Sequence, residues 1–191
     1  MKNERMTAQA REAVALADHE ARRLHHPEIA PAHVLLGLLG SDSGAARVVL
    51  ETLGLTYAEV SAQLRALRPG AEPGEFTEAD ARALRSLGID LTDVLARARA
   101  SFGDEAVETA PPAREREPVW RRRRMSRGTR SAITHAVREA QWLRSGSIDA
   151  SLLLLGVLRA EDREVTAILL ALGVEPSALM SATLRTIGEA A

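Results

Sequence analysis

The residues best equipped for chemistry cluster near the start of the chain: His25, His26 and His33, with Glu28 among them. Imidazole nitrogens and a carboxylate are the donors a zinc ion takes, but this spacing fits no standard zinc motif. Pro27 also fixes the chain just after the adjacent pair. We therefore expect surface or helix-end histidines and no metal. His19 and His135 lie far apart in the chain and suggest no catalytic pair. Asp18 with Glu20, and Glu161 with Asp162, are acidic pairs of the sort that solvated helix faces carry, and no acid–base site is read from them. Cysteine is absent, which excludes a disulfide scaffold, a cysteine-ligated zinc site and a thiol nucleophile. No G-x-x-x-x-G-K-[ST] phosphate loop occurs, the only lysine being Lys2, and no G-x-S-x-G elbow is present. The expectation is a protein that is not an enzyme, with no catalytic residues and no cofactor.

One basic cluster stands out. Trp120 is followed by Arg121, Arg122, Arg123 and Arg124, then by Arg127 and Arg130. Such a run could meet nucleic acid or an acidic protein surface. Against this, Arg114-Glu115-Arg116-Glu117 just before it is of mixed charge, and no aromatic interleaving follows. The whole chain of 191 residues carries 25 basic against 26 acidic side chains, a net charge of -1, so no global field favours polyanions or anionic membranes. With Lys2 set aside, all the other basic residues are arginines, and their default place is a solvated helix face. A solvated linker entering a helix is the plainer reading of the cluster. Trp142 is read as half-buried in an inter-repeat or linker contact.

The elements that would position these residues come in two copies. At an offset of 119, Arg11 meets Arg130, Ala13 meets Ala132, Ala17 meets Ala136, and Glu20-Ala21 meets Glu139-Ala140. Leu35-Leu36-Gly37 meets Leu154-Leu155-Gly156, and Leu53-Gly54 meets Leu172-Gly173. Each copy reads as four helices. Thr7 caps the first, Pro31 suits the first turn of the second, and Ser43 is expected to cap the third, which Gly54 stops. Thr56 and Glu59 form a capping box for the fourth. Ser126, the break at Ser145-Gly146-Ser147, Gly173 and Pro176 repeat this punctuation. No stretch alternates as a strand would. The fold class is therefore all-α: two homologous four-helix repeats, 4–67 and 124–187, packed as a pseudo-two-fold pair. One or two extra helices belong to the connecting segment 68–123, near 77–87 and 90–102, followed by a charged stretch at 105–120 expected to be mobile. Those two helices carry an apolar face, and docking on the repeat pair is expected of them. The N-terminus lacks the apolar core of a secretory signal, and no apolar run approaches the ~20 residues of a spanning helix. A cytoplasmic location is expected.

The doubled pattern Arg11-x-Ala13-Val14-x-x-Ala17-x-x-Glu20-Ala21-x-x-Leu24-x-His26, then Ile29-Ala30-x-x-His33-Val34-Leu35-Leu36-Gly37-Leu38-Leu39, resembles the Clp N-terminal domain family. This is the doubled domain of ClpA- and ClpC-type unfoldases. The resemblance covers about residues 4–67 and 124–187. It implies a protein-binding module for substrates, degrons or adaptors, here stand-alone and without ATPase modules. The implied role is that of accessory, adaptor or decoy in a Clp protease system. Its implied partners are proteins or peptides: a Clp ATPase, its adaptors or its substrates, with no membrane. A helical nucleic-acid-binding regulator using residues 121–130 is the alternative. In Gram-positive ClpC-type domains each repeat opens its second helix with Gly-Thr-Glu-His, whose Glu contributes to binding phosphorylated arginine. The matching ligand positions here are Ala32 and His33 in the first copy and Ser151 and Leu152 in the second. Neither Ala32 nor Ser151 supplies a carboxylate, so weak binding of phosphoarginine is expected.

Overall fold

The computed structural model describes residues 5–68, 85 and 124–189. Residues 1–69 and 123–191 make one compact unit. Apart from Arg85, the expected linker helices and the charged stretch lie outside the described residues, as do Trp120 and Arg121 to Arg123.

The described residues form eight helices: α1 (Ala8–Arg23), α2 (Pro31–Gly40), α3 (Ala45–Thr52), α4 (Tyr57–Leu67), α5 (Arg127–Trp142), α6 (Ala150–Arg159), α7 (Arg163–Ala171) and α8 (Pro176–Glu189). Their starts follow the polar residues that can satisfy free helical N–H groups. Thr7 accepts from Ala10, Ser126 from Thr129, and Thr56 and Glu59 close a reciprocal capping box. Pro31 stands at the first position of α2, where a missing N–H costs nothing. The expected cap at Ser43 does not form. Gly44 holds that position with φ 58°, and the Ser43 hydroxyl donates instead to Leu38 O at 2.6 Å, closing the end of α2.

Helices α2 and α6 are apolar all round, and every residue from Pro31 to Leu39 and from Ala150 to Leu158 is buried. Such helices belong at the centre of a structure, and α1 and α5 pack on them through small residues. Ala10, Ala13, Ala17 and Ala21 line α1, and Thr129, Ala132, Ala136 and Ala140 line α5, all buried. At the crossings sit Gly37 and Gly156. A Cβ on Gly37 would collide with the carbonyl oxygen of Ala13, and one on Gly156 with that of Ala132. Alanine and glycine thus let the backbones approach, which is how a chain with only 3% aromatic residues packs its core densely.

The sequence pattern does not show four two-residue strands that the structure adds: β1 (Arg5–Met6), β2 (Glu28–Ile29), β3 (Arg124–Met125) and β4 (Ser147–Ile148). They pair in parallel and crosswise. Arg5 and Met6 stand opposite Ser147 and Ile148, while Glu28 and Ile29 stand opposite Arg124 and Met125. Thr7 N–H donates to Ile148 O and Ser126 N–H to Ile29 O, both at 2.9 Å. Each copy therefore lends its opening strand to the other, the reciprocity of an isologous two-fold contact. Helix pairing obeys the same rule: α3 packs on α8, and α4 on α7. One continuous cluster of buried side chains runs through both copies.

Candidate functional site

The histidines are not where spacing places them. His26 and His33 are buried, at 4% and 0% exposure, while His25 is exposed. The Ala30 N–H donates to His33 Nδ1 at 2.8 Å, so the neutral His33 ring carries its proton on Nε2. That Nε2 lies 2.7 Å from His26 Nδ1, which must accept, leaving the His26 Nε2 proton facing Arg68 O at 3.4 Å. The chain of contacts fixes both tautomers and joins the start of α2 to the end of α4. Burial above all, then the positive potential of His26 and Arg68, pushes His33 down to about 3. His33 is thus a neutral part of the core. Among the described residues, no group of three His, Asp or Glu side chains lies close enough to hold a metal ion.

Glu20 is likewise not a solvated surface acid. It is 5% exposed and accepts from Arg23 Nε at 2.9 Å and Nη2 at 2.7 Å, while Arg23 also reaches Ser61 on α4. Burial works to raise its pKa. Hydrogen bonds from Arg23 and Tyr57 and the charges of Arg23 and His19 outweigh this, and the pKa is held below the usual range. A carboxylate held ionised in this way is a structural anchor between α1 and α4 and a poor proton donor. Asp18 pairs with Arg22 at 2.8 Å. Glu164 pairs with Arg68 at 2.5 Å across the two copies, and its pKa is raised because burial outweighs Arg68.

Arg124, Arg127 and Arg130 are exposed. Trp142 is 80% exposed, against the expected half-burial. It stands two residues beyond Ala140, which turns it to the opposite side of α5 from the packed stripe.

The four ligand positions matched from the family are all buried: Ala32 and His33 at the start of α2, Ser151 and Leu152 at the start of α6. The second pair borders a cleft of about 350 Å³ between the two copies. Gln9 of α1, Ser43 and Ala45 beside the start of α3, Leu143 and Ser145 after α5, and Thr186 and Ile187 of α8 complete its walls with Asp149 and Ala150. Asp149 caps α6, its Oδ1 accepting from Leu152 N–H at 2.8 Å. The sequence marks Ser151 through the family match and Ser43 only as an expected helix cap; Gln9, Asp149 and Thr186 carry no such signal, because three distant segments bring them together.

Crossed helical repeats around a shared core, with a small cleft between them and the buried ionisable groups committed to structure, define a doubled helical module. The family follows from comparison. A family model for the Clp repeat (R) N-terminal domain matches residues 5–110, and the chain belongs to that family. Members' N-terminal domains are non-catalytic binding domains. The chain is similar to the chloroplastic chaperone protein ClpC2 of Oryza sativa subsp. japonica, 26% identical over 186 residues. That match covers 97% of this chain and 16% of ClpC2, so the chain spans about a sixth of the curated relative's length. The N-terminal domain of the Clp-associated chaperone ClpD from Arabidopsis thaliana superposes with a TM-score of 0.66 at 18% identity, over 98% of this chain and 97% of that one. The Hsp104 N-terminal domain from Candida albicans gives 0.57 at 14% identity, over 97% and 93%. Both likenesses concern the fold.

Proposed function

We propose that the protein is a non-enzymatic binding module for proteins or peptides, serving a Clp-type protease system as accessory, adaptor or decoy in the cytoplasm. The cleft at the start of α6 carries this reading. It lies at the position that the family resemblance assigns to ligands, it is formed by both copies, and its volume of about 350 Å³ is near the lower end of the roughly 300–1,000 Å³ typical of ligand pockets. That size suits one side chain of a larger partner. The absence of cysteine suits a reducing compartment. Nothing in the described residues favours the nucleic-acid alternative.

The experiment is a degradation assay with a purified Clp ATPase, its peptidase and casein. Excess of this protein is expected to change the rate: a rise marks an adaptor and a fall marks a decoy. An unchanged rate at tenfold excess over the ATPase overturns the reading.

A further inference from the structure

Helix α5 is the second copy's version of α1, yet the charges are not copied. Helix α1 holds three arginines and three carboxylates, Glu12, Asp18 and Glu20, and pairs Arg22 with Asp18 and Arg23 with Glu20. Helix α5 holds three arginines, Arg127, Arg130 and Arg138, and one carboxylate, Glu139. That carboxylate is taken by Arg159 of α6 at 2.9 Å. Val137 stands where α1 has Asp18, and Trp142 where α1 has Arg23. Among the described residues, Arg127, Arg130, Arg138 and Arg144 have no ion pair and no side-chain hydrogen bond.

These groups share one face. At 3.6 residues per turn, Arg127, Arg130, Arg138 and Trp142 fall opposite the buried stripe of Ala132, Ala136 and Ala140. All four are exposed, as is Arg144 just beyond the helix. Acids bound the file at its start: Glu28 stands opposite Arg124, and a Cβ on Gly128 would lie 2.9 Å from Asp162 Oδ2. The uncompensated charge therefore runs from Arg130 onward. From there to Trp142 is about 18 Å along the axis. Leu143 and Ser145, next to Trp142 and Arg144 in the chain, belong to the cleft wall, so this face continues the surface assigned above to protein binding.

Guanidinium groups match carboxylates through forked, charge-assisted hydrogen bonds. Tryptophan and arginine are the residue types that most often anchor protein interfaces. An indole 80% exposed to water also gains by being covered. A nucleic-acid duplex binds through many phosphates over a broad face. A single file of arginines bounded by acids, on a chain of net charge -1, suits one narrow strand of carboxylates instead.

We propose that the outer face of α5, from Arg130 to Arg144, docks an acidic segment of a partner protein: about six extended residues, rich in Asp and Glu, with an apolar side chain that covers Trp142. This rests on the protein-binding reading above and gives the partner its chemistry.

The test uses the full chain carrying Trp120→Phe, which leaves Trp142 as its one tryptophan. It is titrated with a blocked Asp-Glu-Asp-Glu-Gly-Leu peptide while tryptophan emission is followed. Saturation should move the emission to shorter wavelength, and added salt should weaken binding. The Asn-Gln-Asn-Gln-Gly-Leu counterpart should bind at least tenfold more weakly. Arg138→Glu should weaken binding about tenfold or more, and so should Trp142→Ala, read by calorimetry. Arg65→Glu, at an exposed arginine of α4, should leave it unchanged. The comparison of the two peptides needs no α5 variant, so it stands if one of these fails to fold. Equal binding of the neutral peptide, unchanged binding by a folded Arg138→Glu or Trp142→Ala, or an equal loss in Arg65→Glu would each overturn the proposal. So would tighter binding of a short DNA duplex, or self-association that Arg138→Glu abolishes, which would make a second copy the occupant. No peptide binding by the full chain overturns it too, whether the face is idle or covered by the connecting segment. If no peptide binds while casein degradation still responds, the α5 face fails and the protein-binding reading survives. If neither responds, both fail.

Discussion

The pair His26 and His33 shows what one buried contact does to the molecule. His33 titrates at about 3 in the folded protein against 6.5 when unfolded. Between those values the unfolded chain binds the extra proton, so folding stability falls as pH falls, by up to about 1.4 kcal/mol per pH unit. Denaturant titrations at pH 7 and pH 5 should differ by roughly 2 kcal/mol on this account. Glu20, whose folded pKa is depressed, adds its own loss around and below its ordinary 4.5, and Glu164, whose folded pKa is raised, works the opposite way above 4.5, so the histidine contribution is read as the difference between the native protein and a His33 variant. His33→Leu should flatten the change between pH 7 and pH 5. At neutral pH it should cost about 1–3 kcal/mol per orphaned group, because the Ala30 N–H and His26 Nδ1 lose their partner. A shift of the midpoint with pH that survives in His33→Leu would contradict this assignment. The sequence alone misplaces these rings because spacing locates them at a helix junction, while burial follows from α4 folding back over that junction.

Helix ends and helix crossings make sharper claims. Helices α1, α3, α5 and α7 all finish in the same bonded motif, with the next residue at positive φ: His25 at 53°, Gly54 at 80°, Arg144 at 54° and Gly173 at 73°. The paired bonds include His26 N–H to Ala21 O and Leu55 N–H to Leu50 O. Gly54 and Gly173 are readable as stops from sequence. His25 and Arg144 are not, since neither residue type advertises a left-handed turn. His25→Gly and Arg144→Gly should each raise stability by roughly 0.5–1 kcal/mol, read as an increased melting temperature. At the crossings the sign reverses. Gly37→Ala and Gly156→Ala place a methyl group against backbone that cannot swing aside, and each should cost about 2 kcal/mol or more. A neutral Gly37→Ala would show that α1 and α2 can part without penalty. The repeated Leu-Leu-Gly in two apolar helices is legible as a core signal, whereas the demand for glycine is set by the distance between helices, which no single helix records. The two-residue strands escape sequence reading for a similar reason: two residues have no periodicity.

At the scale of the whole molecule the two copies share one interior. Buried residues of α1 to α4, Ala132 of α5 and buried residues of α6 to α8 belong to one cluster; Ala136, Ala140, Ile148 and Leu152 form a smaller second one, and Met6 of the first copy packs against both. Thermal or denaturant unfolding of the two-copy unit should therefore be one cooperative transition, seen alike by circular dichroism and calorimetry. Two resolved transitions would mean that each copy stands alone. The helical character, the doubling and the caps are legible because they repeat at fixed positions. The cleft beside α6 is not, because it depends on which side chain of one copy faces which of the other.

The crosswise strand pairs make this a dimer whose two partners happen to be joined by a tether. Separate polypeptides ending near residue 68 and beginning near residue 124 should be incomplete alone and should reassemble on mixing, each lending its first strand to the other. They would also face a choice of mate, since two first halves present related surfaces to one another. The bonds that exist only in the mixed pair, Arg68 with Glu164 and the Thr129 hydroxyl with Ile29 O, would tell a half which mate to keep.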